Sequence, residues 1–110
     1  MTSPRLIIHP NSDLLAKAAA ARLLTALIDA TSDGREAHLV VTGGGIGTAV
    51  LAALAEAPAR DAVAWPSIHV WWGDERFLPH AHPDRNETGA RRALLDHVPL
   101  EGGHVHPMPS

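Results

Sequence analysis

Short apolar runs alternate with longer segments rich in alanine and leucine along the chain. The short runs contain β-branched residues and end near Gly, Pro or polar residues, which predicts four strands: residues 6–9, 38–42, 68–72 and 104–106. The longer segments predict three helices: residues 14–30, 48–57 and 87–97. Strands and helices therefore alternate, and this order predicts an α/β fold with parallel strands joined by right-handed crossovers.

Apolar positions within these segments predict the core. The run at residues 38–42 is apolar through its centre, as expected for a strand buried on both faces of a parallel sheet. Asn11 is among the residues predicted to cap the first helix. The apolar side chains of that helix fall into one stripe, made of Leu14, Ala18, Ala21, Leu24, Leu27 and Ile28. The tryptophans are predicted to be core residues, because no basic residues are interleaved with them: Trp65, Trp71 and Trp72.

Composition excludes several classes of function. The 110 residues suffice for one small domain, and 45% of them are hydrophobic. The net charge of −3 provides no positive field that would attract nucleic acid. The absence of cysteine excludes disulfides, thiolate nucleophiles and cysteine-based metal sites. No apolar run reaches the ~20 residues of a membrane span, and the N-terminus lacks a signal-peptide core, so we expect a cytoplasmic protein that binds neither nucleic acid nor membranes.

A glycine-rich turn, Thr42-Gly43-Gly44-Gly45-Ile46-Gly47, follows the predicted strand at residues 38–42. Glycine permits positive φ and leaves no Cβ between backbone N–H groups and an anion, so this turn can bind phosphate. The pattern is equally consistent with a tight strand-to-helix turn that binds nothing. It is not a P-loop, because no Gly-Lys-Ser/Thr follows, and its glycine spacing differs from the dinucleotide-binding fingerprint.

Charged residues follow the next predicted strand, in the sequence Asp74-Glu75-Arg76. They are expected at the sheet edge where parallel α/β proteins bind ligands. Arg76 is a candidate for bidentate contact with a phosphate or carboxylate, and Asp74 for accepting sugar hydroxyls or acting as a base. The alternative is a solvated turn with an internal ion pair. Asn86 is predicted to be the N-cap of the third helix, or to hold the preceding loop against a ligand.

Histidines provide only weak candidates for metal ligands. His80 and His82 lie beside prolines without a third ligand nearby, which favours an exposed loop. The alternating pair at positions 104 and 106 is an equally weak signal. His38 and His69 lie in predicted strands and are expected to be hydrogen-bonded structural residues. We therefore predict no metal site from the sequence.

Four segments resemble the 6-phosphogluconolactonase family in their order and spacing: residues 41–45 (Val-Thr-Gly-Gly-Gly), 71–79 (Trp-Trp-Gly-Asp-Glu-Arg-Phe-Leu-Pro), 82–86 (His-Pro-Asp-Arg-Asn) and 94–99 (Leu-Leu-Asp-His-Val-Pro). The Asp-Glu-Arg block, with its following Pro and the later Asn, is the most specific of these. The resemblance implies the fold of the glucosamine-6-phosphate isomerases/deaminases, a modified doubly wound, Rossmann-like parallel sheet. It also implies hydrolysis of 6-phospho-glucono-1,5-lactone to 6-phosphogluconate in the oxidative pentose phosphate pathway.

The same resemblance implies a set of residues that bind a small phosphorylated sugar lactone: Gly43, Gly44, Gly45, Asp74, Arg76 and Asn86. Arg76 favours the lactonase branch, because the related deaminases usually carry Asp-Glu-Tyr at this point. Position 85 departs from the family pattern, in which Ser is more common; Arg85 leaves the loop conformation open and could add a cation near the ligand. Neither a metal nor an organic cofactor is required by the implied reaction.

The family's general base is implied to be a histidine in a Gly-x-x-x-Asp-Gly-His motif of the second half, and this chain contains no such motif. Residues 1–110 are therefore expected to be the N-terminal portion of a single longer lactonase domain, inactive alone. The catalytic residues stay unassigned, with Asp74 as a candidate auxiliary. Two alternatives stay open: a glucosamine-6-phosphate-type isomerase or deaminase with Asp74 as base, and a non-catalytic sugar-phosphate sensor. The sequence does not indicate the oligomeric state.

Overall fold

A parallel sheet with helices packed on it forms the framework of the protein. The computed structural model describes residues 3–110. Its strands are β1 (Ala37–Val41), β2 (Ile68–Trp72) and β3 (Val105–His106), and its helices are α1 (Ser12–Thr31), α2 (Gly44–Glu56) and α3 (Asn86–Ala93). The strands are parallel and lie in the order β1-β2-β3. The predicted α/β class is therefore confirmed.

The predicted first strand, residues 6–9, is wrong. This segment pairs with none of the three strands in the described part of the chain, and the side chains of Leu6 and Ile8 are 86% and 82% exposed. Apolar, β-branched residues favour extended backbone, but a strand also needs a neighbour that satisfies its N–H and C=O groups. Residues 3–110 provide no such neighbour for this segment.

Helix α1 begins as predicted, and its apolar stripe is confirmed toward the C-terminal end, where Leu27 is buried and Leu24 and Ile28 pack against the core. The Oδ1 of Asn11 accepts a hydrogen bond from the backbone N–H of Leu14 at 2.9 Å, which confirms the N-cap. The buried side chains of α1 are Ala16, Ala20, Leu27 and Thr31. Leu14 and Ala21, which the sequence placed in the stripe, are exposed. Toward the N-terminal end of the helix, the buried side chains are instead the small Ala16 and Ala20, which line the groove between α1 and α2.

The two faces of the sheet differ in burial. Successive residues of a strand point to opposite faces. The side chains that face the helices belong to one core: Ala37, Val41, Ile68, Val70 and Trp72. On the opposite face, Val40 and Trp71 are 59% and 40% exposed. The prediction that β1 is buried on both faces is therefore wrong, as is the prediction that Trp71 is a core residue, whereas burial of Trp65 and Trp72 is confirmed.

Helix α2 and helix α3 both differ from their predicted bounds. Helix α2 begins at Gly44 rather than at residue 48, so most of the glycine turn is helical. Helix α3 ends at Ala93, and residues 95–97 form a separate 3₁₀ turn. No helix within residues 3–110 combines the length and the apolar character needed to cross a membrane.

Candidate functional site

The carboxyl ends of β1 and β2 meet at one pocket. The two strands pair in register, with Val41 opposite Trp72, so the residues that follow them emerge side by side. The backbone N–H of Gly73 donates to the carbonyl of Val41 at 3.1 Å, which extends the pairing into the turn. A pocket of about 510 Å³ lies at this edge, lined by Thr42, Gly43, Gly44, Gly73, Asp74, Arg76 and Asn86. Ligands commonly bind at this edge of a parallel sheet.

Five of the six residues that the sequence proposed for substrate binding line this pocket, and Gly45 does not. Gly45 instead lines a larger groove of about 1200 Å³ between α1 and α2. That groove is walled mainly by alanines, whereas the smaller pocket combines a cation, a carboxylate and a helix start. The smaller pocket is therefore the candidate site, because ligand specificity depends on converging polar groups.

The start of α2 faces the pocket with free backbone donors. Gly43 is the N-cap and makes no side-chain capping bond, and the first turn of α2 contains no acidic residue. Gly44 has φ +85°, which a residue with a Cβ adopts only under strain. The unpaired N–H groups of a helix N-terminus carry partial positive charge and bind anions. This turn can therefore hold a phosphate or carboxylate in the pocket.

Asn86 connects the two strand ends through its side chain. Its Nδ2 donates to the carbonyl oxygen of Asp74 at 3.2 Å and lies 3.4 Å from Oδ1 of the same residue. On its other side, the amide lies against Gly43, where a Cβ would sit 1.8 Å from Oδ1 of Asn86. The N-cap prediction for Asn86 is wrong, because Asn86 is the first residue of α3 and Arg85 precedes it as N-cap.

Glu75 supplies the cap that the sequence assigned to Asn86. One carboxylate oxygen accepts from the backbone N–H of Asn86 at 2.6 Å and the other from that of Glu87 at 2.9 Å. Burial disfavours the ionised carboxylate, but three backbone N–H donors and the nearby Arg85 guanidinium outweigh it and lower the pKa of Glu75 below 4.5. Glu75 does not line the pocket, so it is an ionised structural residue rather than a ligand contact.

Arg85 is buried and does not line the pocket. Its side chain is 0% exposed, and its Nη2 contacts Glu87 Oε1 at 2.9 Å and the carbonyl of Met108 at 3.0 Å. The same nitrogen lies 3.6 Å from Glu75 Oε2. The expectation that Arg85 adds a cation near the ligand is therefore wrong. Sequence reasoning missed this buried Glu75–Arg85–Glu87 cluster, and an arginine flanked within ten residues by two glutamates was the one available signal.

Arg76 and Asp74 give the pocket its charge. Both residues are exposed at its rim. Among residues 3–110, no carboxylate forms an ion pair with the Arg76 guanidinium. The internal ion pair considered for this turn is therefore not formed. A guanidinium with free donors can make two parallel hydrogen bonds to a phosphate or carboxylate.

Histidines lie away from this pocket. His38 Nδ1 accepts from Trp71 Nε1 at 3.1 Å, and His69 contacts Glu36 and His106, which confirms that both are hydrogen-bonded. In the loop, His80 is exposed, and His82 Nδ1 accepts from the backbone N–H of Asp84 at 3.0 Å. None of the histidines in the described part of the chain lines the pocket.

Several known proteins resemble this chain in sequence and in fold. The 6-phosphogluconolactonase of Streptomyces coelicolor is 52% identical over 96% of this chain, and that of Mycobacterium tuberculosis is 43% identical over the same share. The crystal structure of 6-phosphogluconolactonase from Leishmania guyanensis superposes with a TM-score of 0.77 and 26% identity, over 96% of this chain and 39% of that one. The chain spans 41% and 42% of the length of the two bacterial relatives. The family model for glucosamine-6-phosphate isomerases/6-phosphogluconolactonase matches residues 10–110, and the chain therefore belongs to this family.

Proposed function

We propose that this chain is the phosphosugar-binding portion of a 6-phosphogluconolactonase. The whole enzyme would hydrolyse 6-phospho-glucono-1,5-lactone to 6-phosphogluconate in the oxidative pentose phosphate pathway of the cytoplasm. One observation carries the proposal: the start of α2 and the Arg76 guanidinium line the same pocket, and within residues 3–110 neither has a side-chain partner. Two independent groups that favour an anion thus converge where a polar ligand can also reach Asp74.

Each pocket residue has a role in this proposal. The first turn of α2, at Gly43 and Gly44, binds a negatively charged group through its amides, and Arg76 adds direct electrostatic contact. Asp74 orients sugar hydroxyls through its carboxylate. Asn86 positions Asp74 against the glycine turn and so holds the carboxyl ends of β1 and β2 at a fixed distance from each other. Such positioning matters, because a misplacement of ~1 Å can lower the rate on the order of a hundredfold.

Hydrolysis itself needs groups that this pocket lacks. A lactone is a cyclic ester, so its hydrolysis requires an activated water and stabilisation of a developing oxyanion. Asp74 is the one carboxylate in the pocket lining, and no described histidine reaches it. We therefore propose that the general base is contributed by a part of the domain outside these 110 residues. By this proposal, residues 1–110 are the N-terminal portion of a single lactonase domain and bind phosphosugar without turning it over.

Binding of the reaction product tests the proposal directly. Titration of the 110-residue chain with 6-phosphogluconate, followed by NMR chemical shifts, should perturb the amides of residues 43, 44 and 76. Gluconate, which lacks the phosphate, is the matched control and should bind far more weakly. Equal binding of the two compounds, or shifts confined to the α1–α2 groove, would contradict the proposal.

Turnover by the full-length protein separates the lactonase from its alternatives. Release of acid from the lactone supports the proposal. Release of ammonia from glucosamine 6-phosphate would instead identify a deaminase on the same fold, with Asp74 as the base. Binding of phosphosugar without turnover of either compound would identify a sensor.

A further inference from the structure

Four histidines gather on the sheet face opposite the helices, away from the candidate pocket. His38 and His69 are paired neighbours on β1 and β2, and their ring centroids lie 4.8 Å apart. His106, on β3, is opposite Trp71 and therefore shares this face, with its ring 5.2 Å from that of His69. His104 stacks on His69 at 3.8 Å. Three strands thus bring imidazoles from distant parts of the sequence into contact.

A carboxylate completes this cluster. Glu36 immediately precedes β1, and its Oε2 lies 3.1 Å from Nε2 of His69. One ligand atom each from Glu36, His69 and His104 lie within 4.8 Å of one another. Two imidazoles and one carboxylate are a donor set that Zn²⁺ prefers. Glu36 and His69 are already close enough to share an ion, so any longer separation within this set is to His104. Because the His104 ring stacks on His69, it must turn out of that stack for its lone pair to reach the same ion.

The hydrogen bonds around His69 allow its Nε2 to act as a ligand. Its Nδ1 lies 2.9 Å from Nε2 of His106, and one of these nitrogens must carry the proton. When His69 Nδ1 is the donor, its Nε2 presents a lone pair to the Glu36 carboxylate. Two acceptors at 3.1 Å repel each other unless a cation lies between or beside them. In metal sites, a ligating histidine commonly donates its other N–H to a neighbour in this way.

His104 provides an independent reason to expect a ligand here. Its Nδ1 is buried and has no hydrogen-bond partner among the described residues. A buried polar atom without a partner lowers stability, and such atoms are rare in native proteins. Coordination of a cation through Nδ1 would give this nitrogen the partner that it lacks.

We propose that Glu36, His69 and His104 bind one divalent transition-metal ion, with Zn²⁺ as the best match, while His106 orients His69. The donors would occupy three positions of a tetrahedral ion and leave the fourth to water. The ion would connect the residue before β1 to β2 and to the turn before β3. The site lies at the amino ends of the strands, and β1 separates it from the pocket by roughly 15 Å at ~3.3 Å per residue. It is therefore a site distinct from the phosphosugar pocket.

The experiment is a titration of the metal-free 110-residue chain with Zn²⁺ by calorimetry, in parallel with Co²⁺ absorption in the visible range. We expect one ion per chain. Glu36→Gln and His104→Ala should each weaken binding at least about tenfold, and His106→Ala should weaken it by about ten- to a hundredfold through loss of orientation. His80→Ala removes an exposed loop histidine and serves as the matched control, with unchanged affinity.

Three results would overturn the proposal. These are an absence of stoichiometric binding, equal binding by the Glu36→Gln and wild-type chains, and loss of binding in His80→Ala. Glu36→Gln changes an exposed side chain and keeps its shape, so a fold defect in His104→Ala would still leave a decisive variant. In the absence of an ion, His69 Nε2–H donating to Glu36 would explain the same 3.1 Å contact, and calorimetry distinguishes the two cases.

Discussion

The amide of Asn86 lies against the Cα of Gly43, in a space that leaves no room for a side chain at position 43. An ideal Cβ there would lie 1.8 Å from Oδ1 and 2.3 Å from Cγ of Asn86. The requirement for glycine at this position is therefore one of close approach, since Gly43 has an ordinary φ of −85°. By contrast, Gly44 is required for its positive φ, and space is open around it.

Gly43→Ala should destabilise the protein through Asn86 rather than through the backbone. The new methyl must displace the Asn86 amide and break its hydrogen bond to Asp74, which we expect to lower the free energy of unfolding by about 1–2 kcal/mol. In an Asn86→Ala background the clash disappears, so the same substitution should have little effect. Denaturant unfolding of the two single variants and the double variant measures this coupling.

Gly45→Ala is the matched control for that cycle. Gly45 lies in the first turn of α2, and an added Cβ meets nothing within 4 Å. Alanine is favoured over glycine in a helix by roughly 0.5–1 kcal/mol, so this variant should be as stable as the wild type or more so. Additive effects of Gly43→Ala and Asn86→Ala would contradict the predicted clash.

Glu75→Gln should remove a pH-dependent contribution to stability. Folding lowers the pKa of Glu75 below its ordinary value of 4.5, because its hydrogen bonds and Arg85 outweigh the effect of burial. The ionised carboxylate therefore stabilises the fold fully above about pH 4.5, and this contribution is lost as the pH falls through the folded-state pKa. We expect the free energy of unfolding of the wild type to exceed that of Glu75→Gln by about 1–3 kcal/mol at pH 7, and by less at pH 3.

Denaturant unfolding at both pH values gives the comparison for Glu75. Glu101→Gln, which replaces an exposed carboxylate, is the control and should behave as the wild type at each pH. If the difference in free energy of unfolding between Glu75→Gln and the wild type stays constant from pH 7 to pH 3, ionisation of Glu75 contributes nothing to stability.

Arg85→Ala should be among the most destabilising single substitutions at a polar position. The change leaves Glu75 and Glu87 buried without their common cation and removes the donor to the Met108 carbonyl. Removal of one partner from a buried ion pair commonly costs about 3–5 kcal/mol, and the Arg91 contact to Glu87 should moderate that value here. Thermal unfolding would measure the loss. Arg92→Ala, on the exposed side of α3, should change stability by less than about 0.5 kcal/mol.

The sequence predicted the elements that local patterns determine. Residues 68–72 form the predicted strand because five successive positions are β-branched, aromatic or His and are bounded by Ser67 and Gly73. Asn11 caps α1 as predicted, because its side chain bonds a backbone N–H only three residues further along the chain. The pocket could likewise be predicted, because parallel strands bring their carboxyl ends to one edge wherever they pair.

The sequence did not predict contacts that depend on tertiary pairing. Residues 6–9 have strand composition, but no local pattern states whether a partner strand is adjacent. Glu75 rather than Asn86 caps α3, because a loop of ten residues brings the Glu75 carboxylate back to the backbone N–H of Asn86. The buried Arg85 pairs with the same carboxylate. The cluster around His69 was missed for the same reason, since Glu36 and His104 lie more than thirty residues away from it on either side.

Arg76→Ala should weaken binding of 6-phosphogluconate without a loss of fold. The side chain is exposed and takes part in none of the ion pairs within residues 3–110, so its removal should leave the free energy of unfolding within about 0.5 kcal/mol of the wild type. A charge-assisted hydrogen bond contributes about 1.5–3 kcal/mol, which corresponds to a loss in affinity of roughly ten- to a hundredfold.

Arg76→Lys keeps the charge but not the planar pair of donors, so its affinity for 6-phosphogluconate should lie between those of the wild type and Arg76→Ala. Calorimetry of these variants, beside Arg22→Ala on the exposed face of α1 as the matched control, gives the measurement. An affinity of Arg76→Ala equal to that of Arg22→Ala would remove Arg76 from the site.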